Sequence, residues 1–518
     1  MKDGGDMRIN IGKLLAFSIV LIMGSCSDPV DNPVQPNDNT GDKTPDSSNK
    51  TLVVTEILYN SGVDTLEFIE IKNVASSQQS LKGMFFSKGI DFKFADDAVL
   101  EKGQYLILTN SKDLFSAKYA GVTVAGVYKG RLNNSGDGFD LTGPDSQKVF
   151  SVAFGTSGFW PALADGLGHS LVTINESDVG DQNDYNDWIA SASAGGSPGV
   201  KDQAIASSPV YVNEVMVSSS TERKDQIELF NPSLTESVDV SNFFITDDRK
   251  TPKKFKIPAG SVIKPNSYLV LTSEQFKNVL TVSTGGGSIY LFGADADGNL
   301  TGFSHGIDFE DADEGTTCGL IKNSDGHFFT STLKTATIGS ANSDARMGSI
   351  VISEIMYHPA NGGAEYIEIA NTSADSVPLF SSGFFWKVGG VSFEFSSKTT
   401  LQPNAVCLLI DTSFSVSEFR SKYAIDPTVL IFQFDGKLSN DSEMVAIEKP
   451  GKTYLDANDI MQCSYITVDA VSYNDRSPWP RKADGDGYSL TRRDLTASGN
   501  EPSNWRASDL VGTTPGKI

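Results

Sequence analysis

Apolar and polar residues alternate along three pairs of short segments, and each pair predicts two adjacent β-strands. The first pair covers residues 53–60 and 66–73, and similar pairs begin near residues 211 and 351. In the second segment of the first pair, Ile69 and Ile71 lie on one face while Glu70 lies on the other. This period of two is typical of strands, because successive side chains point to opposite sides of a sheet.

Two glutamates recur at the same spacing in every pair, 14 residues apart, and each second segment ends on an asparagine. The glutamates are Glu56 and Glu70, Glu214 and Glu228, and Glu354 and Glu368, and the asparagines are Asn73, Asn231 and Asn371. The pattern returns after about 158 and then about 140 residues. A repeat of this length is far longer than a solenoid unit, so each copy is predicted to be a complete domain.

Further short strands follow in the same order within each copy. Residues 104–110, 267–273 and 405–411 are apolar runs, and each comes after a turn signal containing Gly or Pro-Asn. Strands of this length between Gly, Asn, Asp and Pro predict an antiparallel sandwich, with short helices at 112–119 and 416–423. The predicted domains are 51–200, 208–345 and 348–518, the middle one being divergent.

The N-terminus has the features of a secretory signal peptide over residues 1–25. Arg8 and Lys13 precede an apolar run at 14–23, which is too short to span a bilayer. Glycine and serine directly before Cys26 resemble the bacterial lipobox. The resemblance implies that Cys26 becomes an acylated N-terminal residue, so a membrane is an expected partner through this anchor.

Residues 26–50 are predicted to be the acylated cysteine and a disordered tether. After Cys26 the segment has five Asp, four Pro and no aromatic residue, and therefore cannot bury enough apolar surface to fold. Its end-to-end distance would be about 27 Å. Ser27 and Asp28 resemble acidic export signals of some lipoproteins. We therefore expect a bacterial outer-membrane protein at the cell surface, with the periplasmic face as the alternative.

The charge and the cysteines narrow the function classes. A net charge of −23 makes nucleic acid and anionic membrane surfaces poor partners. No C-x-x-C pair occurs, so Cys318, Cys407 and Cys463 are predicted to be buried thiols, while a disulfide between two of them stays open.

A late turn, a tryptophan and a closing Pro-Gly complete the pattern in the outer copies, and together the motifs resemble the lamin tail domain family. The motifs lie at 164–171, Trp188 and 197–199 in the first copy, and at 483–490, Trp505 and 514–516 in the third. The middle copy has a related turn at 312–320 but neither the tryptophan nor the Pro-Gly. The resemblance implies three tandem immunoglobulin-like β-sandwiches, used in bacteria as accessory modules without catalysis of their own.

The recurring glutamates could be an acid/base pair or metal ligands, but a fold determinant explains better why all three copies have them. Two Asp/Gly turns are calcium candidates, with Asp295 and Asp297 in one and Asp484 and Asp486 in the other, although such turns are also common without metal. The acidic stretch 308–314 is predicted to be a solvated loop.

Trp160 and Trp479 each precede a proline just before the late turn. An exposed indole could stack on a sugar ring, whereas a buried one would plug the sandwich edge, which is the favoured interpretation.

These observations predict a non-catalytic envelope lipoprotein without a cofactor, whose three sandwiches bind or space a protein or polymer. The alternative is a surface lipoprotein that binds glycans, and a hydrolase accessory subunit is a third interpretation. The partner would be an unidentified envelope protein or polysaccharide.

Overall fold

A computed structural model describes residues 50–177, 180–203, 210–217, 225–283, 285–311, 315–396, 398–456, 458–509 and 515–517. The predicted signal peptide, Cys26 and the tether up to residue 49 lie outside the described residues. Among the residues described, no helix is long and apolar enough to cross a membrane.

In its described residues the first sandwich has eleven strands and one α-helix. They are β1 Leu52–Leu58, β2 Phe68–Asn73, β3 Gln79–Ser80, β4 Phe85–Lys88, β5 Val99–Leu100, β6 Tyr105–Thr109, α1 Lys112–Lys118, β7 Val124–Val127, β8 Asp137–Thr142, β9 Lys148–Phe154, β10 Leu171–Thr173 and β11 Trp188–Ala190.

The middle sandwich has eleven strands and one helical turn. They are β12 Tyr211–Met216, β13 Gln226–Asn231, β14 Val238–Asp239, β15 Phe244–Thr246, β16 Phe255–Lys256, β17 Val262–Ile263, β18 Ser267–Thr272, α2 Ser273–Phe276, β19 Gly285–Ala294, β20 Leu300–Asp311, β21 Thr317–Lys322 and β22 Phe328–Thr332.

The last sandwich has fourteen strands and one helix. They are β23 Ile350–Met356, β24 Tyr366–Asn371, β25 Val377–Pro378, β26 Phe380–Ser381, β27 Phe384–Phe385, β28 Lys387–Gly389, β29 Phe393–Glu394, β30 Thr400–Leu401, β31 Val406–Asp411, α3 Val416–Tyr423, β32 Leu430–Phe434, β33 Ser442–Leu455, β34 Met461–Asn474, β35 Leu490–Arg492 and β36 Trp505–Ala507.

Each sandwich packs two main sheets face to face, which confirms the predicted all-β, immunoglobulin-like class. The larger sheets have the orders β11-β10-β1-β2-β6-β7, β22-β21-β12-β13-β18 and β36-β35-β23-β24-β31-β32. The smaller ones are β4-β8-β9, β16-β15-β19-β20 and β29-β28-β33-β34. The repeated strand pairs therefore lie at the centre of each larger sheet, and in the first and last sandwiches both faces of these strands are covered.

The central strands are buried on both faces for a physical reason. In the first sandwich every residue of β1 is buried. One side faces a core that contains Phe139 and Trp188, and the other faces α1 through Phe115. Such strands lose the alternation of apolar and polar residues that a half-exposed strand shows.

Each helix follows the strand that pairs with the second strand of the repeated pair: α1 follows β6, α2 follows β18 and α3 follows β31. The predicted 112–119 and 416–423 segments form α1 and α3, and Ser415 caps α3 in a capping box with Glu418. The middle copy has only the four-residue α2 at this place, which the sequence pattern did not predict. A helix of one turn gives no apolar periodicity to detect.

The first and middle sandwiches share apolar surface. Leu163 and Ala190 of the first pack against Phe244, Tyr290 and Phe292 of the middle one. Such contacts bury apolar area as a domain core does, so they stabilise the joint.

A polar contact lies beside this apolar joint. His327 Nε2 is 2.7 Å from Asp184 Oδ2, and the backbone N–H of Phe328 donates to the Tyr185 hydroxyl at 2.9 Å. Both contacts join the first sandwich to the hairpin of β21 and β22.

The last sandwich contacts both of the others. Glu310 Oε1 accepts a hydrogen bond from the Thr467 hydroxyl at 2.6 Å, which links β20 to β34. Asp181 of the first sandwich forms an ion pair with Arg476 of the last. Each of the three pairs of sandwiches is therefore in contact.

We predict that Gly302→Ala weakens the joint between the first and middle sandwiches. Gly302 has φ +81°, and a Cβ there would lie 2.5 Å from the carbonyl oxygen of Ser191, across the joint. Gly298 is the matched control, because its φ is +82° but a Cβ would meet nothing closer than 3.9 Å.

Both substitutions carry the same backbone strain, so their difference isolates the clash. Gly302→Ala should lower the free energy of unfolding by about 1–3 kcal/mol more than Gly298→Ala, measured by urea denaturation. Equal losses would mean that the close approach to Ser191 does not matter.

Candidate functional site

The repeated glutamates form buried carboxyl pairs at the centre of each larger sheet. The two members are register partners on adjacent strands, and a β-bulge interrupts the first strand just before its glutamate. All six side chains are buried, and none of the residues exceeds 2% exposure. The pairs are Glu56 with Glu70, Glu214 with Glu228, and Glu354 with Glu368.

The bulge places a polar residue beside the second glutamate. In every copy this residue donates a side-chain hydrogen bond to a carboxylate oxygen of that glutamate. The bonds run from Thr55 to Glu70 at 2.7 Å, from Asn213 to Glu228 at 2.8 Å, and from Ser353 to Glu368 at 2.8 Å.

The glutamate pairs also bind the loop that closes the sandwich, through both members in the first two copies and through Glu368 in the described part of the last. In the first copy Glu56 accepts the N–H of Ser197 at 3.0 Å, and Glu70 accepts the N–H of Gly199 at 2.6 Å. In the last copy Glu368 accepts the N–H of Gly516 at 2.6 Å. Loop N–H groups that would otherwise be buried without partners are thereby satisfied.

The middle copy has the same closure, although its sequence lacks Pro-Gly. Glu214 accepts the N–H and the hydroxyl of Thr337 at 2.9 and 2.8 Å, and Glu228 accepts the N–H of Gly339. The sequence comparison missed this loop because isoleucine stands between Thr337 and Gly339 where the outer copies have proline.

Burial raises the pKa of these carboxyls. The pKa of Glu70 and that of Glu228 rise to about 7. Burial and the neighbouring Glu354 raise the pKa of Glu368 to about 8, and burial with Glu70 nearby raises that of Glu56. The protonated form is favoured chiefly because burial removes the charged form from water, and in Glu56 and Glu368 the neighbouring carboxyl adds to this effect.

A small cavity lies beside the pair in the first sandwich. Its volume is about 130 Å³, and Thr55, Glu56, Glu70 and Asp202 are among the residues that line it. Ligand pockets usually measure about 300–1,000 Å³, so this cavity suits a few waters better than a substrate. The carboxyl oxygens are already engaged by the closing loop, which favours the role of a fold determinant.

The residue before each bulge needs a partner from elsewhere in the chain. Gln182 binds both backbone groups of Val54, through Oε1 at 3.1 Å and Nε2 at 2.5 Å. His305 Nδ1 accepts the N–H of Val212 at 3.2 Å. Burial lowers the pKa of His305 to about 3, so the imidazole is neutral and can accept this bond.

In the last copy an ion pair does the same work. Asp469 accepts the N–H of Ile352 at 2.8 Å, and Arg492 donates to the carbonyl oxygen of Ile352 at 2.9 Å. The side chains of Arg492 and Asp469 are 0% and 2% exposed. Three different side-chain solutions therefore serve one backbone requirement, and sequence comparison of the copies found none of them.

The first calcium candidate is a hairpin turn between β19 and β20. Asp295 Oδ1 accepts the N–H groups of Asp297 and Asn299 at 3.0 and 2.8 Å. The hydrogen bonds from Asn299 are the main cause that lowers the pKa of Asp295. This is ordinary turn chemistry, and Asp297 is exposed.

The second calcium candidate is already engaged. Asp484 Oδ1 lies 2.6 Å from His358 Nδ1, and Asp486 is exposed. Across the described part of the chain, no three His, Cys, Asp or Glu side chains come together as a metal site would require.

The two candidate tryptophans differ in exposure. Trp479 is 5% exposed and lies in the core 6.2 Å from Trp505, as the favoured interpretation of a buried plug predicts, so it offers no free indole face to a sugar. Trp160 is partly exposed and packs against the edge of the first core. Only Trp160 keeps a surface that a sugar could reach.

The acidic stretch at 308–311 is not a solvated loop, and that expectation is wrong. These residues lie in β20, where Asp308 accepts a hydrogen bond from Tyr290 at 3.1 Å. Asp311 is 2% exposed and accepts a hydrogen bond from Ser464 of the last sandwich at 2.6 Å. Residues 312–314 lie outside the described part.

The three described cysteines are free thiols. Cys407 is buried as predicted, whereas Cys318 and Cys463 are partly exposed. Cys26, the predicted lipidation site, lies outside the described residues.

Comparison with known proteins places these features in a family. The family model for the lamin tail domain matches residues 45–156, 203–325 and 343–474, which is more than half of the chain. No curated protein matches the chain. A crystal structure of a DUF4876 family protein from Bacteroides thetaiotaomicron is similar at 12% identity, over 55% of this chain and 91% of that chain, with a TM-score of 0.21.

We predict that Glu368→Gln flattens the dependence of stability on pH. The folded pKa of Glu368 is raised from 4.5 to about 8, so the folded state binds this proton more tightly than the unfolded state. Its contribution is therefore complete below about pH 4.5 and is lost as the pH rises towards 8.

Glutamine mimics the protonated acid and does not titrate. Between pH 5 and 8 the slope of the unfolding free energy should become shallower by up to about 1.4 kcal/mol per pH unit, measured by urea unfolding. Glu101→Gln, at an exposed position, is the control and should leave the slope unchanged. An unchanged slope in Glu368→Gln would show that this carboxyl does not hold a proton at neutral pH.

Proposed function

Because the chain belongs to the lamin tail domain family through three tandem copies, we propose that it is a non-catalytic scaffold that binds and spaces an envelope protein or polymer. The observation that supports this most is the set of contacts among all three sandwiches. A string of independent binding modules would not need contacts between the sandwiches. A scaffold that holds its binding surfaces at fixed distances would need such contacts.

The chemistry of the repeated residues supports a role without catalysis. The carboxyl pairs, which are the best acid/base candidates, bind closing loops in every copy. A group engaged in this way is not available to a substrate without opening the sandwich. Function would then lie on the surfaces of the copies rather than at a shared reaction centre.

We further propose that acylated Cys26 anchors the scaffold in the bacterial outer membrane and that the acidic segment after it sets the distance from the lipid. The charge of −23 would keep the exposed scaffold soluble and away from anionic lipid surfaces. A position on the cell surface fits the acidic residue after Cys26.

Glycan binding is the second candidate function, and it now depends on Trp160 alone. Trp479 is buried, whereas Trp160 is partly exposed at the edge of the first core. A glycan array that loses a signal on Trp160→Ala but keeps it on Trp479→Phe would favour this candidate.

We predict that His327→Ala loosens the scaffold. The Asp184 carboxylate raises the pKa of His327 to about 9, so the imidazolium pairs with Asp184 at neutral pH. Small-angle X-ray scattering should show a radius of gyration larger by a few per cent.

His358→Ala is the matched control, because His358 pairs with Asp484 inside the last sandwich. It should leave the radius unchanged. The wild type should itself expand above about pH 9, because His327 loses its charge there and is no longer attracted to Asp184. A wild type that scatters as a flexible string at pH 7 would contradict the scaffold.

We predict that Cys26→Ala abolishes membrane association. Without the thiol no acyl chain can be attached, so the protein should move from the detergent-extracted membrane fraction to the soluble fraction. Mass spectrometry of the wild type should show an N-terminal cysteine with lipid mass. Membrane association that survives in Cys26→Ala would contradict the anchor, and Cys463→Ala is the control for loss of a thiol.

A further inference from the structure

β6, β18 and β31 occupy the same place in the three larger sheets, next to the second strand of each repeated pair. The strand on their other side differs between the outer copies and the middle one. In the first copy β7 pairs parallel to β6, and in the last copy β32 pairs parallel to β31. In the middle copy β18 pairs with β13 alone among the described residues. Residues 277–283, which lead from α2 towards β19, form no strand.

The burial of these three strands reflects that difference. Four of the five residues of β6 and all six residues of β31 are buried. In β18 only Leu271 is buried. An unpaired strand edge exposes backbone N–H and C=O groups that can pair with another chain.

The outer face of the middle sheet has also lost its helix. In the first copy Phe115 of α1 packs on Phe68 at 5.6 Å, and in the last copy Phe419 of α3 packs on Tyr366 at 5.8 Å. The only aromatic residue of α2, Phe276, turns into the core instead.

Apolar side chains remain partly exposed on this face. Met216, Val270 and a stacked pair of rings, Phe230 and Tyr268 at 4.8 Å, are each partly exposed. Residues 218–224 lie outside the described residues. Among the described residues no helix covers it.

The segment that carries this edge is basic in an acidic chain. Residues 249–277 contain seven Lys or Arg residues and one acidic residue, whereas the whole chain has a net charge of −23. Lys264 precedes β18 and Lys277 follows α2, and both are exposed. Lys256 lies on β16, whose Phe255 contacts Phe276 at 6.3 Å.

We propose that the open edge of β18 is a docking site for an extended, acidic segment of a partner polypeptide. The segment would pair parallel to β18, as β7 and β32 pair with their neighbours. Its alternate apolar side chains would cover Tyr268 and Val270, and its carboxylates would face the lysines. Main-chain hydrogen bonds supply the affinity in this mode, and the side-chain positions supply the specificity.

The last sandwich shows what such a strand looks like. Ile431 of β32 packs on the outer cluster with α3, while Phe432 contacts Phe395 of the inner core at 5.3 Å. In the middle copy the inner side is already filled by Leu280 and Val282. The partner therefore needs apolar residues chiefly on its outer side.

This inference rests on the proposed binding role and names its surface. The probe is a fluorescent peptide with the sequence of residues 429–435, in which serine replaces the two inner phenylalanines, Phe432 and Phe434, and which has two glutamates at each end. Fluorescence anisotropy with the full mature chain should give saturable binding. Hydrogen–deuterium exchange should show new protection at 267–272 and none at β6 or β31.

Two backbone-methylated peptides test pairing through one edge. One is N-methylated at the positions of Leu430 and Phe432, and the other at those of Ile431 and Gln433. A strand uses alternate N–H groups for one neighbour, so one version should lose binding at least tenfold and the other should keep it. Equal binding of both versions would overturn the proposal.

The charge of the site is tested on the protein. Lys256→Glu with Lys264→Glu should weaken binding about five- to tenfold at low salt, and less at high salt. Lys82→Glu with Lys102→Glu, at exposed positions of the first sandwich, is the control and should have no effect.

Three results would overturn the docking site. They are no binding of the parent peptide at 500 µM, protection in the chain alone of those N–H groups of 267–272 that do not pair with β13, and a dimer by light scattering that buries β18. The second would mean that the acidic N-terminal segment fills the edge, and the third a second copy. None of them bears on the scattering test of His327→Ala, so the scaffold and its docking site fail separately.

Discussion

A buried pair of carboxyl groups at a β-bulge is the constraint around which each sandwich is organised. The bulge brings two glutamates side by side on adjacent strands, and in the first two copies both reach the loop that closes the domain. Two acids can be buried side by side here because hydrogen bonds and partial protonation both lower the energetic cost of their charge. In the first copy each accepts a hydrogen bond from a loop N–H group, and the raised pKa of each keeps part of the charge neutralised. Removing either acid would leave loop donors buried without partners.

The bulge also explains why the copies diverge where they do. Pairing with the next strand begins only after the bulge, so the residue before it has backbone groups that no strand satisfies. Gln182, His305 and the pair of Asp469 and Arg492 are three independent answers. A neutral imidazole suffices in one copy, whereas another needs a buried ion pair. The requirement belongs to the backbone, so sequence identity at the partner position was never needed.

The sequence predicted the parts of the fold that depend on local pattern. The spacing of the glutamates and the alternation around Ile69 and Ile71 located the central strands, and the helices at α1 and α3 followed from their apolar spacing. What it missed depends on distant contacts. Gln182 lies 128 residues from the strand it completes, and Asp311 is paired with a residue 153 positions away. A run of acidic residues without its distant partners predicts a solvent-exposed loop. A tryptophan such as Trp479 is compatible with either a surface position or a core position when only its local sequence is known. The open edge of β18 depends on which strands the described part of the chain brings next to it, and no local pattern of residues encodes that.

The contact between Asp181 and Arg476 turns a linear order of domains into a closed triangle. A partly exposed ion pair is by itself worth little, about 0–1 kcal/mol. Here it forms within one polypeptide whose neighbouring domains already touch, so its two ends meet at an effective concentration far above that of separate molecules. The stability of the triangle is therefore a property of chain connectivity as much as of the contacts. A single cut in a connector between sandwiches would leave every interface residue in the protein. It would still lower the effective concentration at which Asp181 and Arg476 meet, and so weaken the contact between the first and last sandwiches.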